Sequence, residues 1–408
     1  MDAIPELDSL IKPMLNGAKV TSCKTKSLIA NGENYGSIML AVDLVLDTKE
    51  ELHLVAKMCP TSEFIKQMFN IGVTFKKEVV LYKTIVPTLQ DFQRRNNCTP
   101  FNSYAKCYGS RYSLDPNKTE VDDGCCLILE NIKVKGFDIE DRMVGFNLDC
   151  SRFLVQDLAK FHAVPVAFKM REPENFKKLI YENIRQPNYT RVSLPEEEAT
   201  KFVKEVIARA EHIERYRKHL GTIEEMMIGA SKQFYEPEND VVEPYASIVH
   251  SDYWTNNTMI KKDASGKCIA NCFVDFQMLI YANPFSDLMF FLYSSVQLPV
   301  LKEHYQEFID LYYDTFIQVL KDHKVEDLGQ FTKELYLKEI DRCMIRLEMY
   351  HTLFMLTPIY AKKEKATELS ELDMAAINDR SKMDHEKYYA RLEFCLDDFV
   401  KRGWLKLD

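Results

Sequence analysis

Residues 248–277 read IVHSDYWTNNTMIKKDASGKCIANCFVDFQ, and the spacing of their polar residues is the most informative pattern in the chain. His250 and Asp252 stand two positions apart, Asn257 follows five positions later, and Asp275 ends a short apolar run. A lone Asp followed by Asn at this spacing is common by chance. The four residues together, in a context of short apolar strands, favour a catalytic segment.

A turn at residues 263–266, Asp-Ala-Ser-Gly, predicts a hairpin that brings Asn257 close to Asp275. Asn and Asp oxygens are the hard ligands that Mg²⁺ prefers, and water and phosphate oxygens usually complete such sites. We therefore expect Asn257 and Asp275 to be metal ligands. Asp252 stays free of metal and accepts or orients a proton from an attacking hydroxyl, with His250 beside it in the catalytic segment. The alternative is a buried polar turn in which Asn257 only caps the backbone.

The order H-x-D-x-x-x-x-N followed by a strand-terminal Asp is the layout of protein-kinase-like catalytic loops. Such a loop requires a strand lysine that holds the phosphates of ATP, and Lys57 follows three apolar residues, Leu-Val-Ala. It also requires a helical glutamate that pairs with this lysine, and Glu78 is placed for that role. Each residue alone is more often an ordinary solvated side chain, but their order relative to the loop favours the functional interpretation.

Two further nucleotide-binding parts are predicted upstream of the catalytic segment. A turn between two strand-like runs could bring backbone amides close to the phosphates, although it lacks the G-x-G-x-x-G form; its residues are Gly32, Asn34, Gly36 and Ser37. A hinge that contacts adenine through its main chain is expected at Glu130 and Ile132, after a buried strand. No P-loop or Rossmann fingerprint is present in the sequence.

Hydrophobic periodicity changes along the chain. The first part contains strand-like runs at residues 37–46, 52–59 and 125–129, and a helix predicted over 62–85 that ends before Pro87. The later part is rich in helical patterns, at residues 150–163, 195–229, 300–355 and 384–404.

This organisation predicts an α+β, two-lobed protein-kinase-like fold. Residues 1–130 form a small N-terminal nucleotide-binding lobe with an antiparallel sheet and one helix. Residues 131–408 form a large, mainly helical C-terminal lobe for catalysis and substrate binding, and residues 131–136 are the hinge. A chain of 408 residues is long enough for two such lobes.

Composition narrows the possible partners. The net charge of −9 argues against nucleic acid, because such partners reward an excess of Lys and Arg. The most apolar stretch, residues 272–296, is interrupted by Asp275 and Asp287, which argues against a membrane helix. The eleven cysteines lack repeated spacing and the acidic N-terminus is unlike a secretory signal, so we expect a cytoplasmic protein with reduced thiols.

The motifs match one family more closely than kinases in general. The segments IVHSDYWTNNTM at 248–259, FVDFQ at 273–277 and PFSDLMFFL at 284–292 resemble the ecdysteroid-kinase-like proteins of insects, within the choline/aminoglycoside-kinase group. The segments at 32–37, 75–82 and 129–137 are similar to that family too, and the resemblance spans about residues 28–295.

The resemblance implies transfer of the γ-phosphate of ATP, with Mg²⁺, to a hydroxyl of a small, hydrophobic acceptor such as an ecdysteroid or another secondary alcohol. It implies that Asp287 braces the catalytic loop. Ser251 stands where the family usually has Gly. Two alternatives remain: a choline- or ethanolamine-type kinase, and a catalytically idle nucleotide- or ligand-binding protein on the same fold.

Aromatic and methionine side chains of the C-terminal lobe are candidates for the wall of an acceptor site, although core packing is the commoner role for each. They are Phe285, Phe290, Tyr293, Met344, Tyr350 and Met355.

Overall fold

A five-stranded antiparallel sheet forms the N-terminal part of the protein, in the order β1-β2-β3-β5-β4. The structure is a computed structural model, and it describes residues 4–28, 37–185, 196–235, 241–362 and 383–407. The strands are β1 (Val20–Ser27), β2 (Ile38–Leu46), β3 (Glu51–Met58), β4 (Cys107–Arg111) and β5 (Cys126–Glu130). The three strands predicted from sequence correspond to β2, β3 and β5.

The two faces of β3 have different environments, because successive side chains of a strand point to opposite sides. Leu54 and Ala56 are buried in an apolar cluster that also contains Leu7 and Ile11 of the short helix α1 (Leu7–Ile11). Lys57 therefore points to the other face of the sheet, where the next helices pack.

The prediction of one helix over residues 62–85 is wrong in two respects, because the helix is interrupted and it does not end before Pro87. The chain forms α2 (Glu63–Met68) and then α3 (Ile71–Val80), because Asn70 adopts a left-handed backbone conformation with φ 47° and breaks the helix. A π-helical turn over Leu81–Ile85 then leads directly into α4 (Val86–Arg95). The N-terminal lobe thus holds several helical segments, where one helix was predicted.

Pro87 lies in the first turn of α4, so it does not end the helix. Proline lacks a backbone N–H and is tolerated in the first turn, where that donor has no partner within the helix. The π-helical turn before it shifts the hydrogen-bonding register and creates this new start. The sequence rule that a helix stops before proline fails here for that reason.

The rest of the chain is mainly helical. A long central helix, α5 (Leu148–Arg171), packs along α11 (Leu298–Asp322). The other helices are α6 (Pro173–Phe176), α7 (Glu182–Ile184), α8 (Glu196–Ala210), α9 (Leu220–Tyr235), α10 (Phe285–Ser295), α12 (Lys333–Cys343), α13 (Met349–Ile359) and α14 (His385–Lys401). This arrangement confirms the predicted fold class.

Two small sheets lie among these helices and position the catalytic segment. The first pairs β7 (Ser247–Val249) with β10 (Ile280–Ala282), and the second has the order β6-β8-β9. Its strands are β6 (Asp138–Ile139), β8 (Thr258–Lys262) and β9 (Cys268–Phe273). Residues 131–136, the predicted hinge, contain a 3₁₀ helix over Ile132–Lys135 that ends at Gly136 with φ 85°. Their role as the lobe boundary stays a prediction.

All eleven cysteines are free thiols. Within the described parts of the chain, no helix has the combination of length and apolar character that crossing a bilayer requires.

Candidate active site

The predicted hairpin is present, and it joins Asn257 to the strand that leads to Asp275. Strands β8 and β9 pair antiparallel, with Thr258 opposite Phe273. One step beyond that pair, the amide of Val274 donates to the carbonyl of Asn257 at 3.1 Å. The turn is closed by Asp263, whose carboxylate accepts from the amides of two later residues, at 2.8 and 3.1 Å. The hairpin therefore holds Asn257 and the residue before Asp275 side by side.

Asp252 and Asn257 are joined directly within the loop between β7 and β8. The side-chain amide of Asn257 donates to the carboxylate of Asp252 at 2.7 Å and to its main-chain carbonyl at 2.9 Å. Because the amide nitrogen is committed to Asp252, the amide oxygen of Asn257 points away from that carboxylate. Asn257 is thus oriented with an oxygen available as a ligand.

Lys57 links the N-terminal sheet to the catalytic segment. Its ammonium donates to Glu78 of α3 at 2.6 Å and to Asp275 at 2.7 Å. The side chains of Lys57 and Glu78 are 5% and 1% exposed, whereas that of Asp275 is 26% exposed and reaches solvent. The second oxygen of Glu78 accepts from the amide of Phe276, at 3.3 Å. Three residues predicted from separate parts of the sequence therefore meet at one point.

Backbone strain marks two positions of the site. Ser251 and Asp275 have φ angles of 66° and 64°, in the left-handed region that residues other than glycine rarely adopt. Glycine adopts this region without steric cost. Ser251 therefore adopts a backbone conformation that suits the Gly expected at this position from the motif resemblance.

Asp287, in the first turn of α10, holds the catalytic loop through its backbone. Its two oxygens accept from the amides of His250 and Ser251, at 2.7 and 2.8 Å. It also contacts the ring of His162 of α5 at 3.1 Å, and the other ring nitrogen of His162 contacts the hydroxyl of Tyr312 at 2.7 Å. All of these side chains are buried. The chain of contacts runs from the loop through α10 and α5 to α11.

His162 and Tyr312 were not predicted as part of the site. His162 lies within an apolar stretch of α5, Phe161-His-Ala-Val, so a polar ring in the buried face was the available signal. Tyr312 lies within the helical pattern predicted over residues 300–355. Neither residue belongs to a local motif, because each reaches the loop only through the packing of helices.

The ring of His250 contacts the protein backbone. Its side chain is fully buried, and one ring nitrogen lies 3.0 Å from the carbonyl of Val274, so it ties the catalytic loop to the strand end before Asp275. Burial lowers the pKa of His250, which favours the neutral ring.

The charges of the site are tuned by burial and by each other. Asp252 is half-buried, and desolvation of its carboxylate by the surrounding protein raises its pKa well above the usual range. Asp275 raises the pKa of Asp252 further, while the amide of Asn257 lowers it. Burial would lower the pKa of Lys57, but Asp275 and Glu78 outweigh it, so the pKa is raised and Lys57 stays charged.

The pKa of Asp287 is shifted in the opposite direction to that of Asp252. Burial disfavours its charged form, but the hydrogen bonds that it accepts from the ring of His162 and from the backbone amide of His250 lower the pKa of Asp287 below its usual value. The carboxylate that braces the loop is therefore ionised, whereas the carboxylate of Asp252 binds a proton more readily than an ordinary aspartate.

A comparison with protein families gives a direct result. Residues 31–325 match the model of the ecdysteroid kinase-like family, which covers well over half of the chain. The chain belongs to the ecdysteroid kinase-like family. This confirms the resemblance seen in the motifs, and it supports a small-molecule kinase.

No curated protein matches the chain significantly. Among solved structures, the streptomycin-ATP-APH(2″)-IIa ternary complex is similar at 14% sequence identity, covering 85% of this chain and 99% of that chain, with a TM-score of 0.33. Family membership rests on the family model alone.

The nucleotide-binding parts predicted for this ecdysteroid kinase-like protein are only partly described. Gly32, Asn34 and Gly36 lie outside the described residues, and Ser37 is buried at the start of β2. At the predicted hinge, the amide of Glu130 donates to the carbonyl of Lys106 at 2.8 Å, so this donor is not available to a nucleotide base. Ile132 is buried at the start of the 3₁₀ helix.

The residues near Asp275 fit a hard divalent cation better than a soft one. Asn257 and Asp275 offer oxygen donors only, and in the described part of the chain His, Cys, Asp and Glu form no group of three that could hold a metal. Magnesium sites of this kind rely on one or two protein oxygens, with water and phosphate as the remaining ligands.

Most of the candidate acceptor-wall residues belong to the core of this ecdysteroid kinase-like protein. Met355 is half-buried. The other five are buried, and they are Phe285, Phe290, Tyr293, Met344 and Tyr350. Core packing was the commoner role expected for each of them, and they do not line an open surface.

Proposed function

We propose that the protein transfers the γ-phosphate of ATP to a hydroxyl group of a small, hydrophobic acceptor, with Mg²⁺ as the metal. The observation that carries this proposal is the meeting of Lys57, Glu78 and Asp275 in one ion-paired cluster. Such a cluster joins the two lobes at the place where a kinase must hold its phosphates. Membership of the ecdysteroid kinase-like family supports the same class of reaction.

Each residue has a distinct task in this proposal. Asp252 faces the acceptor and orients its hydroxyl, Lys57 binds phosphate oxygens, and Glu78 keeps Lys57 in place. Asp287 fixes the loop backbone beside Asp252. His250 is a positioning residue, because its contacts are to the chain.

Asn257 and Asp275 are the residues that would hold Mg²⁺. A bound magnesium ion neutralises phosphate charge, which is the main need of a loose phosphoryl-transfer transition state. Asn257 presents its amide oxygen, because its amide nitrogen is bonded to Asp252. Asp275 presents the oxygen that Lys57 does not use.

The raised pKa of Asp252 suits a residue that handles a proton. Positioning and charge neutralisation dominate phosphoryl transfer, so a strong base is not needed. The carboxylate needs to accept a hydrogen bond from the acceptor hydroxyl and to take up its proton as the new bond forms. A carboxylate with a raised pKa retains that proton more readily than an ordinary one.

The ecdysteroid-type acceptor is the preferred candidate, and the family description supports it. The test is a coupled assay of ADP release against a panel of ecdysteroids, other secondary alcohols, phenolic glycosides and choline, with Asp252→Asn as the control. We expect acceptor-dependent ADP release and a phosphorylated product by mass spectrometry. ADP release with choline alone would support a choline-type kinase, and silence across the panel would favour a ligand-binding protein.

A further inference from the structure

Two cysteines lie opposite each other at the ends of two central strands of the N-terminal sheet, close to Lys57. Cys59 follows β3 directly, and Cys125 directly precedes β5. These strands are antiparallel, and Met58 pairs with Cys126 at the end of their ladder. One step further along the same register, Cys59 therefore faces Cys125.

The two thiols interact with each other. The thiols of Cys59 and Cys125 are close enough to influence each other, and the thiol of Cys59 donates to the carboxylate of Asp123 at 3.7 Å. Lys66 donates to the same carboxylate at 2.6 Å, which places an ammonium group beside Cys59. The neighbouring thiol of Cys125 and the charge of Lys66 together lower the pKa of Cys59, although burial and the carboxylate of Asp123 oppose this. Cys59 is thus the more nucleophilic member of the pair.

Access separates this pair from a second pair of neighbouring thiols. Cys150 and Cys268 also influence each other, but they are 0% and 2% exposed. Cys59 is 8% exposed, and its neighbour Asp123 has a side chain that is 82% exposed. A small oxidant can reach Cys59 from the surface, whereas the second pair is sealed inside the protein.

We propose that Cys59 and Cys125 form a site of reversible thiol oxidation, in which a hydroperoxide converts the pair to an intramolecular disulfide. The thiolate of Cys59 attacks the O–O bond, takes one oxygen and releases the other, which gives a sulfenic acid and oxidises the sulfur by two electrons. Cys125 then attacks that sulfur as a thiolate, the S–S bond forms and hydroxide leaves. The two thiol protons are taken up by the two oxygens of the hydroperoxide, which leave as an alcohol and a water molecule. When the oxidant is hydrogen peroxide, both products are water.

The strand geometry allows this bond. Directly opposed residues of an antiparallel pair have Cα atoms about 4.5–5.5 Å apart, and a disulfide spans about 4.4–6.8 Å. The bond would join the ends of β3 and β5 two residues beyond Lys57. Cys126 cannot substitute for Cys125, because it lies on the opposite face of the sheet, in the cluster that contains Leu54 and Ala56.

The test uses the full chain, reduced and then treated with hydrogen peroxide, with remaining thiols alkylated afterwards. We expect a protein that has lost two hydrogens and two alkylation sites, and that recovers both with a thiol reductant. Trypsin should release residues 58–66 cross-linked to residues 119–133. Since the second peptide contains both vicinal cysteines, Cys126→Ser should keep the cross-link, and Cys125→Ser should abolish it.

A rate measurement tests the same site without altering a cysteine. Lys66→Met should slow cross-linking several-fold, because it removes the charge that favours the thiolate. Lys118→Met, which removes a lysine bonded to the nearby Asp122, should leave the rate unchanged. The proposal would be overturned if all thiols were retained, if Cys59 were over-oxidised without a cross-link, or if Cys150 bonded to Cys268 first. Equal cross-linking rates in the two lysine variants would also overturn it.

Discussion

The ammonium group of Lys57 lies 2.7 Å from the carboxylate of Asp275, although 218 positions separate the two residues. Glu78 holds the same ammonium group from the other side. Two carboxylates thus share one cation, so negative charge exceeds positive charge in the cluster. One of the two carboxylates, that of Asp275, is partly exposed. This excess favours a further cation at Asp275, which is what the proposed magnesium site requires.

Replacement of Lys57 by methionine should abolish most ATP turnover. The change leaves the buried carboxylate of Glu78 without its cation beside the partly exposed carboxylate of Asp275, and breaking a buried ion pair costs about 3–5 kcal/mol. Both acceptor-dependent ADP release and the midpoint of urea unfolding should fall. Lys118→Met is the matched control, since the 56% exposed Lys118 contributes about 0–1 kcal/mol through its surface ion pair. A Lys57→Met protein with near-normal turnover would contradict the assignment of this lysine.

The catalytic segment could be read from the sequence because its order is local. His250, Asp252 and Asn257 lie on one loop, and the hairpin to Asp275 was predicted from a turn signal and a strand pattern, which the β8–β9 pairing confirms. The pairing of Lys57 with Glu78 was inferred from order alone and is seen in the structure. The roles of these residues in catalysis stay predictions.

Asp252→Asn should lower turnover about 10²–10⁴-fold, the usual contribution of a positioned acid or base. In the unmodified protein, turnover should fall as pH decreases, because protonation removes the anion that orients the acceptor hydroxyl. Burial and Asp275 raise the pKa of Asp252, so this fall should begin at a higher pH than for an ordinary aspartate. A pH profile of acceptor-dependent ADP release measures it. A flat profile down to the usual carboxylate range would contradict the proposed role.

Asn257→Ala should have two measurable effects. The variant loses an oxygen ligand, so half-maximal activity should need about tenfold more Mg²⁺. It also loses the hydrogen bond that lowers the pKa of Asp252, so the acidic limb of the pH profile should move to higher pH. The adjacent Asn256 is half-buried and serves as the control, since Asn256→Ala should change neither quantity. Equal magnesium requirements in the two variants would count against Asn257 as a ligand.

Other features were beyond sequence reasoning for physical reasons. The break at Asn70 and the helix through Pro87 depend on a left-handed residue and a π-helical turn, which hydrophobic periodicity does not reveal. The link between His162 and Asp287 joins residues 125 positions apart, on helices that meet only in the folded core. Packing, and not local pattern, decides such contacts.

Tyr312→Phe tests whether the buried chain from α11 to the catalytic loop supports catalysis. The hydroxyl of Tyr312 bonds to His162, whose other ring nitrogen contacts Asp287. Burial lowers the pKa of His162, which favours a neutral ring that accepts from Tyr312 and donates to Asp287. Removal of the hydroxyl leaves a buried ring nitrogen without this partner, at a cost of about 1–3 kcal/mol.

The loosened brace should lower kcat by about tenfold, equivalent to about 1.4 kcal/mol, while the KM for ATP stays unchanged because Lys57 is not affected. The neighbouring Tyr313 donates to the carbonyl of Phe331 and has no contact with His162 among the described hydrogen bonds, so Tyr313→Phe is the matched control. It should lose some stability against urea and keep its kcat. If both variants lose stability alike and neither changes kcat, the chain through His162 serves only the fold, since a brace of the catalytic loop must alter the rate of the step that the loop performs.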